Sequence, residues 1–251
     1  MKALITSGCS VSETWVSWLR SWPLWLEDHI QPEFVVHSGL GCTGNDLISR
    51  KAIYHCTEAL KKYKGEDILL VCAYTTLFRT ALLLDENNII AERLSNERKN
   101  DPGGHMWLHQ GSNYNLEVVD SNEYPAWFYF NLWKDIPQCN NYYTVYQSQH
   151  NLIHDYLWNM FAVENFCKAN NINYVWMKVD NTLDQTILNH WSVSYLTQAL
   201  DYQYGIKKPI ADTIFEHDPT LMADIIHPTN SGHYWYTNNI LIPFLEEHGF
   251  C

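Results

Sequence analysis

The chain predicts an α/β fold: a three-layer α/β/α sandwich around a mainly parallel sheet. Three observations carry that expectation. Short apolar runs at residues 3–5, 34–37, 68–73 and 172–179 read as strands. Between them lie stretches whose large apolar side chains recur at helical spacing. The connections are short, and strand–helix–strand repetition with short links sets strands parallel with helices on both faces. Of 251 residues, 46% are hydrophobic and 18% charged, which supports a real core and argues against disorder. One domain over 1–251 is expected, with an aromatic-rich insertion at approximately 85–142.

The first strand ends in Thr6-Ser7-Gly8-Cys9-Ser10, a small-residue turn with Ser10 at its tip. A helix is expected over 12–26, where Trp15, Trp18, Trp22 and Trp25 are spaced by three and four. That stripe reads as core packing, with an acyl or sugar pocket as the lesser reading, and Pro23 marks a break or restart. The strand at 34–37 runs into Gly39-Leu40-Gly41-Cys42-Thr43-Gly44-Asn45-Asp46. A second helix over 45–64 ends at Gly65, and the strand at 68–73 leads to Tyr74-Thr75-Thr76-Leu77-Phe78-Arg79. Residues 80–142 break the rhythm. They hold a charged run, an Asp101-Pro102-Gly103-Gly104 loop signal and a dense aromatic stretch over 114–133. Substrate-facing excursion, self-packed loop and association surface are all open readings. A long helix over 143–170, a strand at 172–179, a weaker helix over 184–200 and a last helix over 231–248 complete the alternation. Asp212, His217 and Asp218 read as structural.

Net charge is 16 − 28 = −12. Phosphate-backbone binding needs Lys and Arg clusters, and Lys61-Lys62-Tyr63-Lys64 is a solvated helix end, so no nucleic-acid partner is expected. The seven Cys show no Cys-x-x-Cys and no regular spacing, which excludes disulfide-framework and zinc-knuckle readings and fits a reducing compartment. His105 with His109, and His150 with His154, lie four apart, but no third ligand is near, so no metal is expected. The start of the chain has no apolar signal-peptide core, and no window reaches the ~20 apolar residues that span a bilayer. A cytoplasmic or otherwise soluble protein without a membrane span is the expectation.

Two stretches point to chemistry. A strand, a small-residue turn and a helix can lift the Ser10 hydroxyl above a sheet edge. Far away, Asp224-Ile225-Ile226-His227-Pro228 sets an acid three residues before a His. A Ser nucleophile needs such a base, and the base needs an acid to fix its tautomer and stabilise the imidazolium.

Together these blocks resemble the SGNH (GDSL-type) hydrolases, whose sandwich is flavodoxin-like. Gly8-Cys9-Ser10 stands for the family's Gly-Asp-Ser, residues 39–46 for its second block, and Asp224 to Pro228 for its Asp-x-x-His-Pro, with Gly232-His233 after it. The resemblance spans residues 3 to about 245. It implies Ser10 as nucleophile, His227 as base and Asp224 as its orienting acid, with the backbone N–H groups of Ser10 and Gly44 in an oxyanion hole. Two departures stand: Cys9 for the family Asp, and Thr75/Thr76 where the family has an Asn. Losing one such donor costs on the order of 3 kcal/mol elsewhere, so Asn45, Thr76 or Arg79 is expected to compensate, Arg79 also as a substrate-binding residue. Phage-type members are similar in carrying Thr or Ser followed by Arg there, so a phage-encoded member is one expectation.

The implied activity is hydrolysis of carboxylic esters without metal or organic cofactor. Acetylated carbohydrates, short-chain lipids and thioesters all fit, and the aromatic-rich segment favours a glycan ester. An acyltransferase using the same triad, and a catalytically inactive binding or structural protein of the same fold, are the alternatives.

Overall fold

Six consecutive uncharged residues, Ala3–Gly8, form a strand whose members are all buried. Burial on both faces is the lot of a central parallel strand. The computed structural model describes residues 1–14, 18–41, 43–77, 79–84, 108–110, 126–131, 147–180, 188–201 and 204–250. Its strands are β1 (Ala3–Gly8), β2 (Phe34–His37), β3 (Ile68–Tyr74), β4 (Arg79–Leu84), β5 (Leu108–Gln110), β6 (Ala126–Asn131), β7 (Asn173–Lys178) and β8 (Gly205–Ile206). Its α-helices are α1 (Trp22–Ile30), α2 (Asn45–Leu60), α3 (Gln149–Ala169), α4 (Trp191–Ala199), α5 (Ile210–His217), α6 (Asn230–Tyr236) and α7 (Ile242–Glu247).

The main sheet has the order β2-β1-β3-β7-β8 and is parallel throughout. Parallel neighbours need long crossovers: α1 lies in the one between β1 and β2, and α2 carries the chain from β2 past β1 to β3. The helices pack in two groups. In one, α2 packs on α3 and α3 on α4; in the other, α6 packs on α1 and α5. The result is the expected three-layer α/β/α sandwich. The core runs through Leu4, Ile5, Leu69 and Val71 of the sheet and Ile48, Ile153, Leu157 and Met160 of the helices. Each such side chain contributes roughly 1.5–3 kcal/mol by leaving water. Cys56, Cys72 and Cys167 are buried there as free thiols. Burial pushes Cys56 up to about 12 and raises the other two as well, which leaves them unreactive at neutral pH.

β4, just before the span read as an insertion, pairs antiparallel with β6, and β6 with β5 inside it, as a second sheet. His109 falls in β5, while His105, the loop signal at 101–104 and the aromatic stretch other than β6 lie outside the described residues. Among the described residues no cluster of His, Cys, Asp or Glu is suited to a metal ion. Nor is any helix there long and apolar enough to cross a membrane.

The helix expected over 12–26 is corrected. Ser10–Ser12 is a single 3₁₀ turn, and the α-helix starts only at Trp22. Pro23 explains the start, because proline fits only the first turn, where its missing N–H is not needed. The tryptophan stripe accordingly divides. Trp22 is fully buried and donates to Ser12 Oγ, Trp25 is half-buried under Arg20, Trp18 is 76% exposed, and Trp15 lies outside the described residues.

Candidate active site

The strand order reverses direction at β1, with β2 on one side and β3 on the other. In open α/β sheets the crevice beyond the carboxyl ends at such a point is where ligands bind. Three segments meet there: the Ser10 turn after β1, residues 38–44 after β2, and Thr75-Thr76 after β3. Leu40 N–H donates to Gly8 O at 3.1 Å, and Thr43 Oγ1 to Leu40 O at 2.9 Å. Gly39 lies so close to the Ser10 turn that a Cβ there would sit 2.1 Å from Ser12 O, so only glycine allows the approach.

Ser10 is half-buried, and its Oγ lies 2.9 Å from His227 Nε2. His227 Nδ1 lies 2.8 Å from Asp224 Oδ2. Asp224 Oδ1 accepts the N–H groups of Ile226 and His227, each at 2.8 Å. Burial pushes the Asp224 carboxyl upward. Those two backbone donors and the imidazole outweigh it and hold the group below the usual carboxylate range. An ionised Asp224 puts the proton of a neutral His227 on Nδ1, which leaves Nε2 to accept from the Ser10 hydroxyl.

The loop carrying this pair is closed on itself. Ala223 N–H donates to His227 O, Thr229 N–H to Leu221 O, and Thr229 Oγ1 caps α6 through Gly232 N–H. It is also tied to the Ser10 side of the molecule, because the Asn230 side chain accepts from Arg20 N at 2.8 Å and donates to Trp18 O at 3.2 Å. Asn230 has no signature in the sequence beyond its place at a helix start.

The oxyanion candidates divide. Neither the Ser10 nor the Gly44 N–H donates to an acceptor among the described residues. Gly44 is the N-cap of α2, where N–H groups point outward and favour negative charge. Asn45 is engaged elsewhere. Its Nδ2 donates to the carbonyls of Thr75 and Thr76 at 3.1 and 3.3 Å, and its Oδ1 accepts from Thr75 N at 2.8 Å. Its amide therefore clamps the loop after β3. Thr76 is buried in that loop, and Arg79 Nη1 donates to Thr75 Oγ1 at 3.2 Å. A cleft of about 360 Å³ opens beside them, lined by Asn45, Arg50, Arg79, Tyr156 and Trp158 among others.

Two buried charges at the site escaped the sequence reading. Glu13 is 9% exposed and Lys51 is 5% exposed. The sequence did hold a signal: Lys51 falls on the core-facing period of α2, with Ile48, Ala52 and His55, where a charge is out of place. His233, in α6, is 1% exposed, and neither ring nitrogen has a hydrogen-bond partner among the described residues. Burial and the neighbouring His227 push it down to about 3.

No family model matches the chain, and no curated protein matches it. Among solved structures it is similar to the protein YxiM of Bacillus subtilis, at 12% identity with a TM-score of 0.49. That match covers 100% of this chain and 57% of the other, so the chain spans little more than half of its length.

Proposed function

We propose that the protein is a serine hydrolase of the SGNH type that transfers the acyl group of a carboxylic ester to water. One observation carries the reading: the unbroken run from the Ser10 hydroxyl through His227 to Asp224, at 2.9 and 2.8 Å. Distances of this size are those a general base needs to take a proton from the group it activates.

In the proposed reaction Ser10 Oγ bonds to the ester carbonyl carbon while His227 Nε2 takes its proton. Asp224 holds the ring and stabilises the imidazolium. The N–H groups of Ser10 and Gly44 receive the charge on the carbonyl oxygen. The carbon–alkoxy bond then breaks, and His227 returns the proton to the leaving alcohol. Water, deprotonated in turn by His227, releases the acid and restores Ser10. Asn45 contributes by holding the Thr75-Thr76 loop. Arg79 binds substrate in the adjoining cleft, whose polar lining and half-exposed Trp158 suit the hydroxyl-rich face of an acetylated carbohydrate.

Fluorophosphonate labelling tests the reading. The expected result is a covalent adduct on Ser10 that disappears in Ser10→Ala and forms at least about 100-fold more slowly in His227→Ala. A folded wild-type protein that takes no label overturns the hydrolase assignment.

A further inference from the structure

We infer that Glu13 is a positioning residue: its carboxylate, buried beside the Ser10 turn, packs against Gly41 and so fixes the 38–44 loop that presents the Gly44 N–H to the reacting carbonyl. The inference rests on the hydrolase reading above and adds to it a residue outside the triad.

Several contacts converge on that loop. Ser38 sits at its start, with both its N–H and its Oγ donating to Thr6 O at 2.9 Å. Lys51, from α2, donates its ammonium to Ser38 O at 3.2 Å. Leu40 is tied to Gly8 O. The middle of the loop is held from the other side, because the Glu13 carboxylate lies against Gly41. The fit is close: a Cβ on Gly41 would stand 2.5 Å from Glu13 Oε1. Three residues beyond Gly41 comes Gly44, the cap of α2.

Glu13 is itself rigidly placed. It follows the 3₁₀ turn that begins with Ser10, and its own carbonyl accepts from Ser21 Oγ, one residue before α1. The Ser10 turn and the Gly44 loop are thus joined through one side chain. Their separation sets where the two oxyanion donors stand relative to each other.

A carboxylate in such a place disfavours folding unless it does something there. Burial pushes Glu13 upward, and the Gly41 N–H, His227, Lys51 and Arg79 each pull it back. Lys51 faces the same burial, which lowers it to about 8 against the pull of Glu13. Two opposite buried charges at one short loop, Glu13 packed against Gly41 and Lys51 bonded to Ser38 O, are an arrangement that favours geometry over stability.

The test compares Glu13→Ala, Glu13→Gln and Gly41→Ala with wild type. The readouts are kcat and KM on p-nitrophenyl acetate and amide hydrogen exchange over residues 38–44. Misplacing a reacting group by about 1 Å costs on the order of 100-fold. Glu13→Ala is therefore expected to lower kcat roughly 10- to 100-fold with KM within about twofold, and to speed exchange in that loop alone. Gly41→Ala, which displaces the carboxylate and leaves it in the chain, gives the same pattern. Glu13→Gln keeps the shape that meets Gly41 and stays within about fivefold of wild type in both readouts.

Equal loss in Glu13→Gln and Glu13→Ala overturns the proposal, since charge and not the contact with Gly41 would then matter. Unchanged exchange in Glu13→Ala also overturns it. So does a lowered melting point with normal kcat per folded molecule, which is what a purely structural residue gives. If wild type proves inert to fluorophosphonate, the hydrolase reading fails by itself, and hydrogen exchange alone decides whether Glu13 holds the loop.

Discussion

His233 carries an imidazole that the fold isolates. Both nitrogens are buried without a partner among the described residues, and the ring is held neutral by burial and by His227 nearby. A polar group left unsatisfied in the interior costs about 1–3 kcal/mol. Replacing it with a side chain of similar size and no polar atom removes that cost. His233→Leu is therefore expected to be more stable than wild type by about 1–3 kcal/mol at pH 7. A raised midpoint in urea with an unchanged slope is the measurement that checks it. A lower midpoint would mean that the ring has a partner in solution. The sequence could not reveal this residue as a liability. Gly232-His233 follows the Asp224–His227 block and looks like part of the chemistry, whereas its burial depends on how α6 meets α1 and α5.

At the scale of elements, the connection between the two ends of the chain matters more than any single helix. Ser10 and His227 are 217 residues apart, and the bond between them needs the His227 loop to be docked and not merely nearby. Asn230 supplies the dock through its two bonds to residues 18 and 20. Asn230→Ala removes both while leaving the Thr229 cap of α6 in place. Its stability cost is expected to be no more than about 1–2 kcal/mol, because the site is exposed. Its effect on kcat is expected to be larger, roughly tenfold, because the base loses alignment with its nucleophile. Ester hydrolysis measured alongside thermal unfolding separates the two, and a kcat equal to wild type would mean that the loop holds its place alone. Elements were legible where pattern alone decides them. β2 falls on the residues expected of it, and α2 and β3 begin where expected, because apolar runs mark them, whereas α2 ends at Leu60, before the Gly65 stop expected of it. The first helix was placed too early because its tryptophan spacing outweighed Pro23. The π-helical turn Thr237–Leu241 between α6 and α7 has no signature in apolar spacing. It precedes Pro243, which has no N–H to give to Asn239 O, and a widened turn accommodates that loss.

For the whole molecule, the parallel sheet and its three layers follow from alternation of strand and helix, which is why they could be read before any coordinates. The pairing of Asp224 with His227 could be read as well, because a spacing of three on one loop is local. What could not be read was burial of charge. Glu13, Lys51, His37, His55 and His233 look like ordinary polar residues until the layers close over them. That burial has a collective consequence in acid. His55 is pushed down to about 4 by burial and by Lys51 against the pull of Glu58, and His233 to about 3. His37 is lowered by burial against the pull of Glu27. An unfolded histidine titrates near 6.5. Above that value neither state binds the proton and all three contribute their full stability. As pH falls through 6.5 toward 4 and then 3, the unfolded chain takes up protons that the fold refuses, so stability is lost. The slope is at most about 1.4 kcal/mol per pH unit for each histidine. Glu13 has the opposite sign, because its raised value lets the fold bind a proton before the unfolded chain does. One group against three leaves the histidines dominant. The melting temperature is therefore expected to fall from pH 7 to pH 4 by several degrees, at roughly 2–4 °C per kcal/mol for a chain of this size. His233→Leu should fall less steeply over the same range, since one of the three refusing groups is gone. Calorimetry of both proteins at half-unit pH intervals checks this, and parallel profiles would show that His233 is not among the groups that set the acid limit.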